Sequence, residues 1–316
     1  MADVSFPLNS GHKMPAVGYG TWQAAPGVVA EGVYHALKSG YRLLDCAYCY
    51  GNEAEVGQGL ARAISEGIVA RSDVFVVTKV WATYNTRVQL GLDKSLKNLG
   101  LDYVDLFLVH WPLLMNPEGN DDKFPKLPDG SRDIIREGYH HTDTWRQMEA
   151  LVDPAQGAGK QARAIGVCNY SRRYLEELLK VAKVAPAVNQ IENHPALPQN
   201  DIVGFCKEKG IHIMAYSPLG STGGPLFKEE VVTKIAQKHG VEPATVLLSW
   251  HVPRGSTALP KSVTPSRIES NLKLIKLDDE DVKELNAYGE DLEKNGKVQR
   301  FVYPPFGVDF GFPDKS

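Results

Sequence analysis

A chain of 316 residues with 43% hydrophobic side chains carries enough apolar material for a sizeable core. Its formal net charge is −3 and no block of Lys and Arg runs along a helix or tail, which excludes a nucleic-acid or acidic-membrane footprint. The opening "MADVSFPLNSGHKMP" lacks the apolar centre of a signal peptide, no apolar run approaches the ~18–20 residues that span a bilayer, and the closing "PDKS" is neither a peroxisomal nor an ER address, so the expected location is the cytosol.

Short apolar strands alternate with amphipathic helices along the chain. "SFPLNSGHKMP" reads as a hairpin and "AVGYG" as the first strand of the series. "GVVAEGVYHALKSG" has apolar residues at helical spacing and stops at Gly40. Strand "YRLLD" and helix "EAEVGQGLARAISEG" follow, then strand "VFVVTKV" and helix "RVQLGLDKSLKNLG". "VDLFLVHW" is a buried strand, and a helix starts near Asp143. The alternation continues through "ARAIGVC", "RRYLEELLKVA", "AVNQIE", "QNDIVGFCKEKG", "HIMAYS", "KEEVVTKIAQKHG" with "PATVLLSWHV", "STALPKS" and "PSRIESNLKL".

That order predicts about eight parallel strands with helices outside. It fits a (β/α)₈ TIM barrel spanning 1–316 as one domain, with an N-terminal β-hairpin and a C-terminal substrate loop and tail. An open doubly wound sheet would announce a dinucleotide site with G-x-G-x-x-G. "VGYGTWQ" has Gln23 where the third glycine belongs. "GAGK" at 157–160 resembles part of a phosphate loop, but Pro154 and Gln161 break the motif, so it reads as a surface connection.

In such a barrel the chemistry sits at the C-terminal ends of the strands. Three consecutive strands end at Asp45, Lys79 and His110, and Tyr50 lies in the loop after the first of them. Singly, the lysine reads equally as a structural ion pair and the histidine as a core imidazole. Together they end apolar runs where an unpaired charge is costly, and Asp45 is the natural counter-ion for Lys79. A buried ammonium beside Tyr50 predicts a phenol pKa below its usual ~10, tuned to protonate a carbonyl oxygen as it becomes an alkoxide. His110 can donate a hydrogen bond to the same oxygen. None of these side chains is a hydride donor, so a cofactor is implied.

The other rim loops suggest which one. "GTW" carries Thr21 and Trp22, and "CNYS" carries Asn169. The amides of Asn169 and Gln190 suit a carboxamide, and Tyr216 offers a ring for stacking on a nicotinamide. "SPLGS", Ser217 to Ser221, suits a pyrophosphate. Lys261, Ser262, Thr264 and Arg267 surround the start of the last helix, an anion site at the usual phosphate corner of this barrel. Arg beside Lys suits a 2′-phosphate and favours NADP over NAD. Trp22, Trp81 and Trp111 supply an apolar wall for a substrate pocket. The long loop from about Leu113 to His141, expected to lack structure, and the tail "RFVYPPFGVDFGFP" are the segments that shape it.

Cys46 and Cys49 form a C-x-x-C, which can mark a redox dithiol or half of a zinc site. No second pair lies at short spacing, and the motif follows a strand rather than opening a helix. The two thiols therefore read as packing residues, with Cys49 exposed to oxidation beside Tyr50. Two rival functions remain at this point. One is a Schiff-base aldolase using Lys79, and the other a cofactor-binding regulatory barrel without turnover.

"GTW", "DCAYCYGNEAEVG", "TKVW", "VDLFLVHWP", "GVCNYS", "NQIENHP", "YSPLGS" and "LPKSVTPSRIESN" together resemble the aldo-keto reductase family, in family order over nearly the whole chain. The resemblance implies a tetrad of Asp45, Tyr50, Lys79 and His110, with Tyr50 as proton donor. It implies extended NADP(H), direct hydride transfer, no metal, and a monomer acting on small carbonyl or polyol substrates. The cofactor contacts it implies are Thr21, Trp22, Asn169, Gln190, Tyr216, Ser217, Leu219, Ser221, Lys261, Ser262, Val263, Arg267 and Asn271. "NPEGNDDKFPKLPDGSRDI" and "RIESN" look most like a fungal branch of NADP-dependent glycerol dehydrogenases and glyceraldehyde reductases, which makes small aldehydes such as glyceraldehyde the expected substrates. Three features depart from the family: Cys168 where Ser is frequent, Ser270 in place of an acidic residue near the adenine, and a long connection "VDPAQGAGKQAR".

Overall fold

The computed structural model of the protein describes residues 4–152 and 161–315. The "GAGK" segment and Pro154 lie outside the described residues.

Strands β1 (Ser5–Pro7) and β2 (Lys13–Pro15) pair antiparallel as the expected hairpin. Then follow β3 (Tyr19–Gly20), β4 (Leu43–Asp45), β5 (Phe75–Val80), β6 (Leu106–Val109), the short β7 (Leu114–Met115) and β8 (Ile134–Ile135), β9 (Ile165–Cys168), β10 (Val188–Glu192), β11 (His212–Tyr216) and β12 (Thr257–Leu259). Eight of them form one sheet in the order β12-β11-β10-β9-β6-β5-β4-β3, every pair parallel. The sheet closes on itself. Val17 bridges Ala258, and the N–H groups of Gly18 and Gly20 donate to the carbonyls of Ala258 and Pro260 at 2.9 and 3.0 Å. The expected (β/α)₈ barrel is therefore the fold.

Side chains alternate between the faces of a strand, so residues of one parity point into the barrel. Leu43, Phe75, Val77, Leu106, Leu108, Val188, Met214 and Leu259 form one buried cluster, joined by Leu8 and Met14 of the hairpin. The hairpin thus plugs the N-terminal end. The next inward positions along the same strands are Asp45, Lys79, His110, Gln190 and Tyr216. The lower rungs are apolar and the top rung is polar.

Helices α1 (Val29–Ser39), α2 (Glu53–Ser65) and α3 (Val88–Leu99) cover the first part of the barrel, α4 (His141–Ala150), α5 (Arg172–Leu179) and α6 (Asn200–Glu208) the middle, and α7 (Glu230–His239), α8 (Pro243–Ser249) and α9 (Pro265–Asn271) the rest. Gly40 and Gly100 end α1 and α3 in left-handed backbone, φ 112° and 65°, the conformation glycine adopts without strain. Helix α4 starts two residues before the expected Asp143, because the His140 side chain accepts from Thr142 N and caps it. A further helix, α10 (Asp279–Lys294), lies beyond the expected cycle. It opens with a reciprocal Asp278–Asp281 capping box and packs Leu285 and Val282 against Val232 and Ile235 of α7.

The loop from Leu113 to His141 has more structure than expected. β7 and β8 pair antiparallel inside it, and Asn116, Asn120, Asp121 and Asp129 accept from the loop's own N–H groups. Short polar side chains thus replace the missing ladder.

Candidate active site

Asp45, Lys79 and His110 occupy the top rung of β4, β5 and the end of β6, and Tyr50 follows β4 in a short 3₁₀ turn, Tyr48–Tyr50. The structure brings all four together. The Lys79 ammonium donates to Asp45 Oδ1 and Oδ2 at 2.9 and 3.0 Å and to the Cys46 carbonyl at 2.7 Å, and it reaches the Tyr50 hydroxyl at 3.4 Å. Lys79 is fully buried. The rings of Tyr50 and His110 meet edge-on with centroids 5.7 Å apart.

The Tyr50 phenol runs against the sequence expectation. Burial, followed by the charge of Asp45, pushes it well above the ordinary tyrosine value of 10.0. The physical reason is that burial denies a phenolate its water and Asp45 adds like charge, while Lys79 gives its three shortest bonds elsewhere. Its charge is matched by Asp45, which leaves little to hold a phenolate. Burial, and then the Lys79 charge, push His110 well below 6.5, so its imidazole is neutral at physiological pH.

Cys46 and Cys49 are free thiols, as are Cys168 and Cys206. Burial pushes both Cys46 and Cys49 up, which lowers their thiolate content and their reactivity. Cys49 nevertheless touches the site, its sulfur 3.5 Å from His110 Nδ1.

The residues expected to hold a cofactor ring this centre. Asn169 donates to the His110 carbonyl at 3.0 Å and to the Cys168 sulfur at 3.1 Å, and accepts from the Tyr216 hydroxyl at 2.8 Å. Gln190 donates to Asp45 Oδ1 at 2.7 Å, while Cys168 points at Gln190 Oε1 from 3.8 Å, the weak contact expected of a thiol. Thr21 donates to the Asp45 carbonyl at 2.9 Å. Ser217, Leu219 and Ser221 follow β11, half-buried. Asn169, Ser217, Ser221 and Gln23, beside Trp22, hold left-handed backbone at φ 62°, 49°, 72° and 53°. Strain of this kind in non-glycine residues concentrates at ligand sites.

Lys261, Val263 and Arg267 are exposed, Ser262 is half-buried and Asn271 is buried. Lys261 Nζ donates to the Gln23 carbonyl at 3.2 Å, tying the β12 loop to the β3 loop. Arg267 forms no ion pair among the described residues. Helix α9 spans seven residues, so these side chains rather than the helix terminus dominate the anion chemistry. Two cations with a serine hydroxyl fit a phosphate monoester. Ser270 donates to the Arg267 carbonyl at 3.2 Å and so packs into its own helix.

The aromatic wall is built differently from the expected three tryptophans. Trp81 and Trp111 are buried and joined by residues of the loop and the tail. Trp81 meets Phe124 at 5.3 Å and Phe306 at 6.4 Å, and Trp111 meets Phe306 at 5.7 Å and Phe310 at 4.8 Å. Trp22 is 38% exposed and shares no ring contact with them among the described residues. Glu192, one inward position above Gln190, was not singled out from sequence. Its fully buried carboxylate accepts from Phe301 N at 2.7 Å and Val302 N at 2.8 Å and so holds the tail.

A (β/α)₈ barrel with a Tyr, Lys, Asp and His at its rim defines a carbonyl-reducing oxidoreductase. The chain belongs to the aldo/keto reductase family, whose model matches residues 16–290. It is 64% identical to a D-galacturonate reductase of Hypocrea jecorina over 316 residues, 100% of both chains. It is 44% identical to a glycerol 2-dehydrogenase (NADP(+)) of Saccharomyces cerevisiae, covering 95% of each. Among solved structures it resembles an aldose reductase of Schistosoma japonicum, with TM-score 0.83 and 37% identity over 90% of this chain and 91% of the other. No helix among the described residues is long and apolar enough to cross a membrane.

Proposed function

We propose that this chain reduces the aldehyde of small polyhydroxy aldehydes with NADPH, sugar acids such as D-galacturonate foremost, and runs the reverse oxidation when NADP is in excess. The observation that carries the reading is the Tyr50 hydroxyl set 3.4 Å from the Lys79 ammonium and edge-on to His110. The full-length match to a D-galacturonate reductase moves the favoured substrate from glyceraldehyde toward a hexuronate. The reading takes the chain as one barrel domain acting as a monomer; the largest apolar cluster, running from Val17 to Phe312, supports the single domain.

NADPH, when bound, supplies the hydride. The side chains supply the rest. Tyr50 is the proton donor: a phenol held protonated meets a carbonyl oxygen that becomes a far stronger base as charge develops on it. Neutral His110 donates a hydrogen bond to the same oxygen and orients it. Lys79 places positive charge beside the Tyr50 oxygen at the moment its proton leaves, and Asp45 keeps that ammonium charged and fixed. Asn169 and Gln190 would hold the carboxamide, and Tyr216 would offer its ring to the nicotinamide. Thr21, Trp22, Ser217, Leu219 and Ser221 would hold the pyrophosphate. Lys261, Ser262, Val263, Arg267 and Asn271 would hold the adenosine end, with Arg267 suited to a 2′-phosphate. Lys79 Nζ is fully buried and held by Asp45 and the Cys46 carbonyl, which leaves it poorly placed to attack a carbonyl carbon and speaks against the aldolase.

The test is NADPH consumption with D-galacturonate and with DL-glyceraldehyde, beside NADH and beside Tyr50→Phe. The reading expects turnover with NADPH, much less with NADH, and a fall in kcat of about 10²–10⁴-fold in the variant. NADPH binding without turnover of any aldehyde would restore the regulatory-barrel reading.

A further inference from the structure

We propose that Lys123 forms an anion subsite at the lip of the active site, taking the carboxylate of a sugar acid whose aldehyde lies against Tyr50. The inference rests on the sugar-acid reading above and adds the residue that selects the acid.

Lys123 lies between β7 and β8, and its main chain is fixed on both sides. Its carbonyl accepts from Trp81 Nε1, and its N–H donates to Asp121 Oδ1 at 2.8 Å. The next residue, Phe124, packs edge-on against Trp81 at 5.3 Å. From this anchored backbone the ammonium reaches the turn that carries Tyr50. A Cβ on Gly51, the residue after Tyr50, would lie 3.1 Å from Lys123 Nζ, and Nζ stands 5.3 Å from the centre of the Tyr48 ring.

The ammonium rests over the Tyr48 ring but has no anionic partner in contact among the described residues. Lys123 is half-buried and forms no ion pair or side-chain hydrogen bond among the described residues. The neighbouring carboxylates are occupied: buried Glu53, which feels the Lys123 charge, accepts from Thr78 and Asn98. Asp122 accepts from the Tyr48 and Tyr84 hydroxyls and pairs with Lys94, and Asp121 accepts from the N–H groups of Lys123 and Phe124. Two other cations near the site are committed. Lys79 pairs with Asp45, and Arg132 lies 4.8 Å over the Phe124 ring and donates to the Phe124 carbonyl. A half-buried ammonium on a fixed backbone is the complement of a carboxylate held several bonds from the reacting aldehyde, and the pair is a charge-assisted hydrogen bond. A neutral sugar of the same size offers no such partner.

The test compares D-galacturonate with D-galactose, which carries a hydroxymethyl where the acid has its carboxylate. The readout is the ratio of their kcat/KM values in wild type, Lys123→Met and Lys123→Arg. Wild type should prefer the acid. The preference should fall about 10–100-fold in Lys123→Met, through KM for the acid, and survive in Lys123→Arg. Added salt should shrink it in wild type. An acid preference that persists unchanged in Lys123→Met overturns the subsite alone. A wild type with no preference for the acid overturns the sugar-acid reading and the subsite together.

Discussion

Asp45 faces Lys79 with both carboxylate oxygens, at 2.9 and 3.0 Å, in a pair that solvent barely reaches. Breaking one side of a buried ion pair leaves an uncompensated charge and costs about 3–5 kcal/mol, whereas replacing both sides is often near neutral. Asp45→Asn and Lys79→Met should each lower the melting temperature clearly. The double variant should recover most of that loss. Activity should not recover, because the charge beside the Tyr50 oxygen is gone. Melting curves and NADPH turnover on the four proteins close the cycle. A double variant as unstable as the sum of the singles would show that the pair does not act as a unit.

The pH dependence follows from two opposite shifts. In the proposed mechanism Tyr50 acts protonated; it is pushed above 10.0, so donor is lost only as pH rises through that raised value. In the same mechanism His110 acts neutral; it is pushed below 6.5, so it is lost only as pH falls through that lowered value. The kcat for reduction should therefore be flat from about pH 6.5 to about pH 10. A steady-state profile with a break near neutrality that disappears in His110→Gln would contradict this assignment.

Arg267 is exposed and without an ion pair among the described residues, which leaves its guanidinium available to a phosphate. Arg267→Ala should raise the KM for NADPH about 10–100-fold, the loss of one charged hydrogen-bonding partner. NADH lacks the 2′-phosphate and its KM should barely move. Equal losses with both cofactors, in kinetics or in fluorescence titration, would place the 2′-phosphate elsewhere.

The barrel and its polar top rung were legible because both follow from periodicity. Apolar residues at every second position of β4, β5 and β6 give way at the last inward step to Asp45, Lys79 and His110, and that step is written in the sequence. What escaped depends on contacts between distant parts of the chain. The Tyr50 shift turns on how deeply the phenol is buried and how near the Asp45 charge lies, which spacing does not reveal. The ribbon of β7 and β8 is only two residues on each side, too short for any pattern. Glu192 bonds a backbone 109 residues away, and nothing local marks it. The expectation that Cys49 is vulnerable to oxidation meets a thiol whose thiolate is suppressed by burial, so peroxide should inactivate the enzyme slowly.

The tail is held to the barrel by that same carboxylate. Glu192 Oε1 accepts from Phe301 N and His194 Nε2, at 2.7 and 3.1 Å, and Oε2 accepts from Val302 N at 2.8 Å. Arg300 adds a pair with Asp314 at 2.7 Å, and five residues past Phe301 the Phe306 ring reaches Trp81 and Trp111. Glu192→Gln keeps the shape but turns one acceptor into an NH₂ facing a donor. A buried group left unsatisfied in this way costs about 1–3 kcal/mol. The strain should be relieved locally, by opening of the tail, before the barrel itself yields. The variant should then be cut by protease within 300–315 while the barrel stays intact, and its KM for aldehydes should rise with little change in KM for NADPH. A variant whose tail resists protease as wild type does, with aldehyde KM unchanged, would mean that the ring contacts alone hold the tail over the site.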